Sequence, residues 1–271
     1  MARLTFLLLL LWVGVAVSTV VDLQKRIIRG HRCDRPYHVK LRGVDPNGAS
    51  NLCGGSLISE RWILTAAHCL LPGRTMFAYL GAGAAVRRVQ ITANPVKYTD
   101  NNNREHDLML LQLPGNSGIP PVPLPNCRNQ PRISQTVEIQ GHAAIVADWT
   151  NNNQRIPDEV PDLHCADIPV VDCTNHRRYL QTNFPNFYQD HGYQDWFCGQ
   201  SPTVDICLGD SGGGVVYQGR IYGVISFTGN GGFACAAPAA FMNLCNQEYL
   251  RWIKDTIKKP KKKCGLLCGL G

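Results

Sequence analysis

Twelve cysteines behind an apolar N-terminal leader constrain this 271-residue chain more than any other feature. The leader carries one basic residue, Arg3, then an apolar run from Phe6 to Val17, with the small residues Ala16 and Ser18 at its end. That is the pattern of a secretory signal peptide over residues 1–18. A spanning helix needs about 20 apolar residues. Asp22, Lys25 and Arg26 interrupt this run first. Thiols delivered to an oxidising compartment pair with one another, so the cysteines predict a secreted, disulfide-stapled extracellular protein. Cytosolic redox or zinc chemistry is the competing use, and it would need a paired C-x-x-C ligand pattern that the chain lacks.

The chain beyond the leader is long enough for one large all-β domain or two small barrels. From Tyr37 to about Leu113, short apolar segments such as Ser56-Leu57-Ile58 and Trp62-Ile63-Leu64 alternate with Gly, Pro and Asn, as in a barrel or sandwich. Pro114, Pro120, Pro121, Pro123, Pro125 and Pro131 rule out a regular ladder or helix in the next stretch, which reads as a connection between two barrels. Short β-like segments return from Thr136 to Leu244, including Gly214 to Tyr217 and Arg220 to Ser226. From Cys245 to Ile257 the apolar residues Tyr249, Leu250, Trp252, Ile253 and Ile257 fall on one stripe, predicting a C-terminal helix. The formal net charge of +7 is concentrated at the end, in Lys258, Lys259, Lys261, Lys262 and Lys263. Nucleic-acid binding is therefore not expected of the body of the chain.

Three motifs carry chemistry: Leu64-Thr65-Ala66-Ala67-His68-Cys69, then His106-Asp107-Leu108-Met109-Leu110-Leu111, then Gly209-Asp210-Ser211-Gly212-Gly213-Gly214. A serine hydroxyl needs a base to take its proton and an acid to orient that base. His68, Asp107 and Ser211 supply all three. In this order the motifs resemble those of the trypsin-like serine proteases. The resemblance covers about Ile27 to Ile257. It implies an all-β fold of two antiparallel six-stranded chymotrypsin-like barrels with a C-terminal α-helix, and a serine-type endopeptidase. It also implies that His68 passes a proton between nucleophile and leaving amine, that Asp107 holds the imidazole, and that the amides of Gly209 and Ser211 form an oxyanion hole. Residues 19–26 read as an activation peptide, residues 27–257 as the protease domain, and residues 258–271 as a basic Cys-containing tail. Cleavage after Arg26 would free the amine of Ile27 to pair with Asp210, so the uncut chain is expected to be a nearly inactive zymogen. The implied disulfides are Cys33 with Cys165, Cys53 with Cys69, Cys127 with Cys245, Cys173 with Cys198, and Cys207 with Cys235. Cys264 and Cys268 remain, either to bridge each other or to link another chain.

By the same resemblance Asp205, six residues before Ser211, lies at the base of the pocket for the side chain preceding the cut, favouring Arg or Lys. Ser226, Phe227, Thr228 and Ala239 would line that pocket, and Ser226 would also support Asp107. Ile206 beside Asp205 removes a hydrogen-bonding option for lysine, while Ala239 and Thr228 narrow the space. Two alternatives stay open: an active protease preferring smaller or apolar side chains, and a non-catalytic binding protein on the same fold. No cofactor or metal is expected, and Gly81-Ala82-Gly83-Ala84-Ala85 lacks the carboxylates a calcium ion needs. The expected partners are protein or peptide substrates, an activating protease and protein inhibitors, with polyanions as partners of the lysine tail.

Overall fold

Alternation of buried and half-buried residues along His38–Val44, and continuous burial along most of Glu105–Gln112, distinguish a strand with one core face from a strand covered on both sides. In the computed structural model residues 27–81, 85–148, 154–230 and 232–258 are described. The segments expected from the sequence to be a signal and an activation peptide, through Arg26, and the tail from residue 259 lie outside them.

A two-residue strand β1 (His31–Arg32) precedes the first sheet. That sheet comprises β2 (His38–Val44), β3 (Ser50–Leu57), β4 (Trp62–Thr65), β5 (Thr75–Leu80), β6 (Arg87–Gln90), β7 (Val96–Thr99) and β8 (Glu105–Gln112). Its order is β6-β5-β2-β3-β4-β8-β7, antiparallel throughout. The proline-rich connection comes next with only a 3-10 turn at Cys127–Asn129, as fixed proline φ angles and missing amides dictate.

The second sheet begins with two long strands, β9 (Thr136–Asp148) and β10 (Gln154–Val171), where the sequence predicts shorter segments. A register shift between Glu159 and His164 accommodates Pro161, while Pro157 and Pro169 stand in the paired stretches opposite Ile145 and Thr136. After helices α1 (Thr174–Asn183) and α2 (Pro185–His191) come β11 (Trp196–Gly199), β12 (Gly214–Tyr217), β13 (Arg220–Thr228) and β14 (Ala239–Asn243). The order β10-β11-β14-β13-β12-β9 closes through the β9–β10 pairing into a six-stranded barrel, with β1 added beside β10. The expected all-β fold and its C-terminal helix are therefore present, the helix being α3 (Gln247–Lys258) with Tyr249 and Ile253 buried.

Helices α1 and α2 depart from the sequence reading, which expects only β-like segments there. Only His176 and Leu180 of α1 are buried, an i and i+4 pair too sparse to stand out as an apolar stripe. The barrel interior is built by Val137, Ile139, Ile168, Val215, Ile225 and Phe241, and Ile27 inserts among them fully buried. Burying an isoleucine side chain stabilises its position by about 1.5–3 kcal/mol, so the start of the described chain is anchored from inside.

Four of the five expected disulfides are present: Cys33–Cys165, Cys53–Cys69, Cys127–Cys245 and Cys173–Cys198. Cys207 and Cys235, the fifth expected pair, lie together in the fold. Both residues pack in one small cluster with Ile28, Ala143 and Ala234, and carboxylates hold their backbones, Asp210 for Cys207 and Asp205 for Cys235.

Candidate active site

His68 is carried on a 3-10 turn, Ala67–Cys69, directly after β4, and the Cys53–Cys69 disulfide ties that turn to β3. Asp107 comes from the neighbouring strand β8 and is 7% exposed. Its Oδ1 accepts the His68 amide at 2.9 Å, and its Oδ2 lies 2.9 Å from His68 Nδ1. Ser226 Oγ donates to the same Oδ2, and the Asp107 amide donates to Gln194 Oε1 at 3.0 Å. Sequence reasoning misses Gln194, because a glutamine beside the β11 strand has no local pattern to mark it.

Burial alone would discourage charge on both partners, yet the hydrogen bonds and mutual charge prevail. Burial pulls the His68 pKa down, but the Asp107 hydrogen bond and charge together hold it above the ordinary imidazole value. Burial likewise opposes ionisation of Asp107, and its bonds to His68 and Ser226 bring its pKa below the usual carboxylate value. The acid therefore stays ionised and orients a ring whose Nδ1 carries the proton, leaving Nε2 with its lone pair.

Ser211 sits on the connection between β11 and β12, which is knotted by backbone hydrogen bonds. The Gly54 amide donates to the Ser211 carbonyl at 2.7 Å, Gly212 donates to Ile225 at 2.7 Å, and Gly213 donates to Asp210 at 2.9 Å. Gly209 and Gly212 have φ of 107° and 83°, and a Cβ on Gly212 would overlap Thr65 and the Gly54 carbonyl. Only glycine meets both requirements. Among the described residues the amides of Gly209 and Ser211 have no protein acceptor, the condition an oxyanion hole requires. Ser211 lines the same cleft as His68, and no hydrogen bond joins the two side chains among the described residues.

Asp210 is fully buried. Its two carboxylate oxygens accept the amides of Ala143 at 3.0 Å and Cys207 at 2.9 Å, and a Cβ on Gly141 would collide with it. Ile27 is buried in the second barrel, Arg26 lies outside the described residues, and the Ile28 amide donates to the Asp205 carbonyl at 3.2 Å.

The cleft beside Ser211 holds about 270 Å³ and is walled by Ile206, Leu208, Ser226, Phe227 and Thr228. Asp205 and Ala239 lie behind that wall, 2% and 1% exposed. The Asp205 carboxylate accepts the amides of Ile206 at 2.8 Å and Cys235 at 2.7 Å. Ala239 pairs with Thr228 on one side and Gly199 on the other. Helix α2 completes the cleft from the far side with Phe187 and His191, which stack on each other at 4.2 Å while Phe187 meets Phe227 edge-on at 5.0 Å. The sequence offers no sign of these two residues beyond the long separation of 25 between Cys173 and Cys198.

The family model described as Trypsin matches residues 27–253. Human "Putative trypsin-6" is 30% identical, with 93% of this chain and 97% of that protein covered. Rat "Trypsin V-A" is 31% identical over 90% of this chain and 94% of that protein. Among solved structures, the mouse neuropsin described as a serine protease expressed in the limbic system of the brain superposes with a TM-score of 0.64 at 25% identity. That superposition covers 84% of this chain and 99% of neuropsin. Motif order, barrel topology and the full-length similarity agree: the chain belongs to the trypsin family of serine proteases.

Proposed function

We propose that the protein is a secreted serine endopeptidase, made as a zymogen and activated by cleavage after Arg26. The observation that carries this reading is the His68–Asp107 pair, braced by Ser226, opening onto the same cleft as Ser211. In the reaction His68 Nε2 takes the Ser211 proton as Oγ attacks the scissile carbonyl. The amides of Gly209 and Ser211 receive the oxyanion, and the protonated ring returns its proton to the leaving amine. Water then attacks the acyl-enzyme by the same route.

Activation by a new N-terminus is supported by the burial of Ile27 and by the hold of Ala143 and Cys207 on Asp210. For the side chain preceding the cut, the apolar wall of Ile206, Leu208, Phe227 and Thr228 favours small or medium apolar residues. Cleavage after Arg or Lys is the second reading, and the buried carboxylate of Asp205 directly behind Ile206 favours it.

A single experiment separates these readings from a non-catalytic protein. The chain is clipped after Arg26, labelled with a fluorophosphonate, and assayed on peptides that differ only before the scissile bond. Labelling at Ser211 with faster cleavage after Val, Ala or Leu is expected. Faster cleavage after Arg, abolished in Asp205→Ser, would establish the second reading, and absence of labelling would rule out both.

A further inference from the structure

The residues of the proposed reaction come from two different sheets. His68 follows β4 and Asp107 lies on β8, both in the first sheet, whereas Ser211 precedes β12 and Ser226 lies on β13, both in the second. Proton transfer between His68 and Ser211 therefore depends on how firmly the first sheet is held against the second near the acid. Among the described residues no ladder joins β8 to the second sheet, so side chains must make that joint.

Neighbours on a strand face opposite ways, so the His106 ring projects away from the face on which Asp107 meets His68. His106 is 7% exposed and enclosed by Tyr98, Tyr193 and Tyr249, with ring centres at 5.1, 5.0 and 5.3 Å. Its Nδ1 bonds the Tyr249 hydroxyl, and its Nε2 lies 3.2 Å from Asp100 Oδ2. The Asp195 amide donates to the Tyr249 oxygen at 3.1 Å, which leaves the Tyr249 O–H to donate to Nδ1. The Asp100 carboxylate also accepts Arg104 Nε at 2.9 Å and stays ionised, so it can only accept, and Nε2 carries the proton. A continuous chain of bonds thus runs from the Asp195 amide through Tyr249 and His106 to Asp100, and it is complete with a neutral ring. Burial keeps the ring neutral, holding the His106 pKa below the ordinary imidazole value despite Asp100. On either side of His106, the Tyr193 hydroxyl donates to the Glu105 carbonyl at 2.6 Å and the Asp107 amide donates to Gln194 Oε1 at 3.0 Å. Three successive residues of β8 are therefore gripped by the segment that leads into β11. Arg177 anchors that segment in turn, donating to the carbonyls of Gly192 at 2.9 Å and Gln194 at 3.2 Å.

We propose that His106 is a positioning residue for the serine-protease reaction, a role that rests on the function proposed above. Through Tyr249, and alongside Gln194, it fastens the Asp107 strand to the second barrel and so fixes the acid against His68 and Ser226. A neutral imidazole suits this task, because it accepts on one side and donates on the other without adding charge beside Asp107. An apolar ring of similar size fills the space but leaves the buried Tyr249 O–H without its acceptor. Asparagine keeps an acceptor near the place of Nδ1.

The test reads His68, the group that senses Asp107. Histidine-ring NMR on the full-length, disulfide-intact chain gives its titration midpoint, the signal being assigned by its loss in His68→Ala. Peptide kinetics on the chain clipped after Arg26 give kcat and KM. In His106→Phe the His68 midpoint is expected to fall from its raised value towards about 6.5, and kcat to fall about tenfold with KM near that of the parent. His106→Asn is expected to restore most of both. Tyr249→Phe, which deletes only the hydroxyl, is expected to reproduce the loss, and combining it with His106→Phe to cost little more, because the two residues act through one bond. A His68 midpoint unchanged in His106→Phe, or a loss as large in His106→Asn, would overturn the proposal. If His106→Phe does not fold, Tyr249→Phe decides it. A parent chain without turnover would count against the proposed function, and the His68 titration would still decide the role of His106.

Discussion

Asp107 receives hydrogen bonds from the His68 ring, the His68 amide and Ser226, so its charge is held by fixed dipoles rather than by water. Removing one donor leaves a buried carboxylate less satisfied and its ring less firmly placed. A hydrogen bond to a charged group is worth about 1.5–3 kcal/mol, so Ser226→Ala is expected to lower kcat by about tenfold or more with a small change in KM. Asp107→Asn, which reverses the tautomer preference of the ring, is expected to cost about four orders of magnitude in kcat. Because Asp107 raises the pKa of His68, the base must lose its proton above 6.5, and the acid limb of kcat/KM is expected to have its midpoint above that value. A pH–rate profile on one peptide checks it, and a midpoint below 6.5 would contradict the assigned pairing. At this scale much is legible in the sequence. His68, Asp107, Ser211 and Ser226, which the sequence singles out by residue type and order, line one cleft in the fold. Gln194 is not legible, because its bond to the Asp107 amide arises only when strands distant in sequence pack together.

Helix α2 shapes one side of the cleft. The aromatic rings of Phe187 and His191 extend the surface that starts at Phe227, and His191 also borders the open depression next to His68. A peptide lying along that side gains binding area remote from the reacting bond. Phe187→Ala is therefore expected to raise KM several-fold for peptides that extend beyond two residues before the cut, while kcat for a short ester substrate stays near its original value. Steady-state kinetics on a long and a short substrate distinguish this from a general loss of folding, which would lower active-site titre for both. The contrast with α3 explains what the sequence could reveal about elements. Helix α3 buries Tyr249 and Ile253 on one apolar stripe, a periodic signal visible in any window. Helices α1 and α2 are mostly exposed and polar, held by the Cys173–Cys198 disulfide and by contacts with Phe227 and Trp196, none of which is periodic.

Across the whole molecule, one apolar cluster draws on both β-sheets and another fills the second barrel, and several imidazoles are withdrawn from water as neutral rings. His38, His106, His142 and His176 all have pKa values pushed down by burial, His142 and His176 to about 4. In the unfolded chain each returns to about 6.5. Between these values the unfolded state binds protons that the folded state refuses, so stability is lost as pH falls from 6.5 towards 4. For His176, 2% exposed and in contact with Trp196 and Phe227, the loss reaches about 3 kcal/mol at most. His68 acts in the opposite sense: its raised pKa contributes stability that is complete below 6.5 and disappears as pH rises through the folded value. Four depressed imidazoles outweigh one raised imidazole, against a total stability of about 5–15 kcal/mol for a domain. The thermal midpoint is therefore expected to fall steeply between pH 6.5 and 4, at higher pH than protonation of the paired carboxylates would explain. His176→Leu supplies the decisive comparison, because neither nitrogen of His176 has a hydrogen-bond partner among the described residues. That variant should match or exceed the parent at pH 7.5, where only the unpaired polar atoms are lost, and should show a shallower decline below pH 6.5. Parallel decline in parent and variant would mean that His176 is protonated in the folded protein and that the acid sensitivity lies elsewhere.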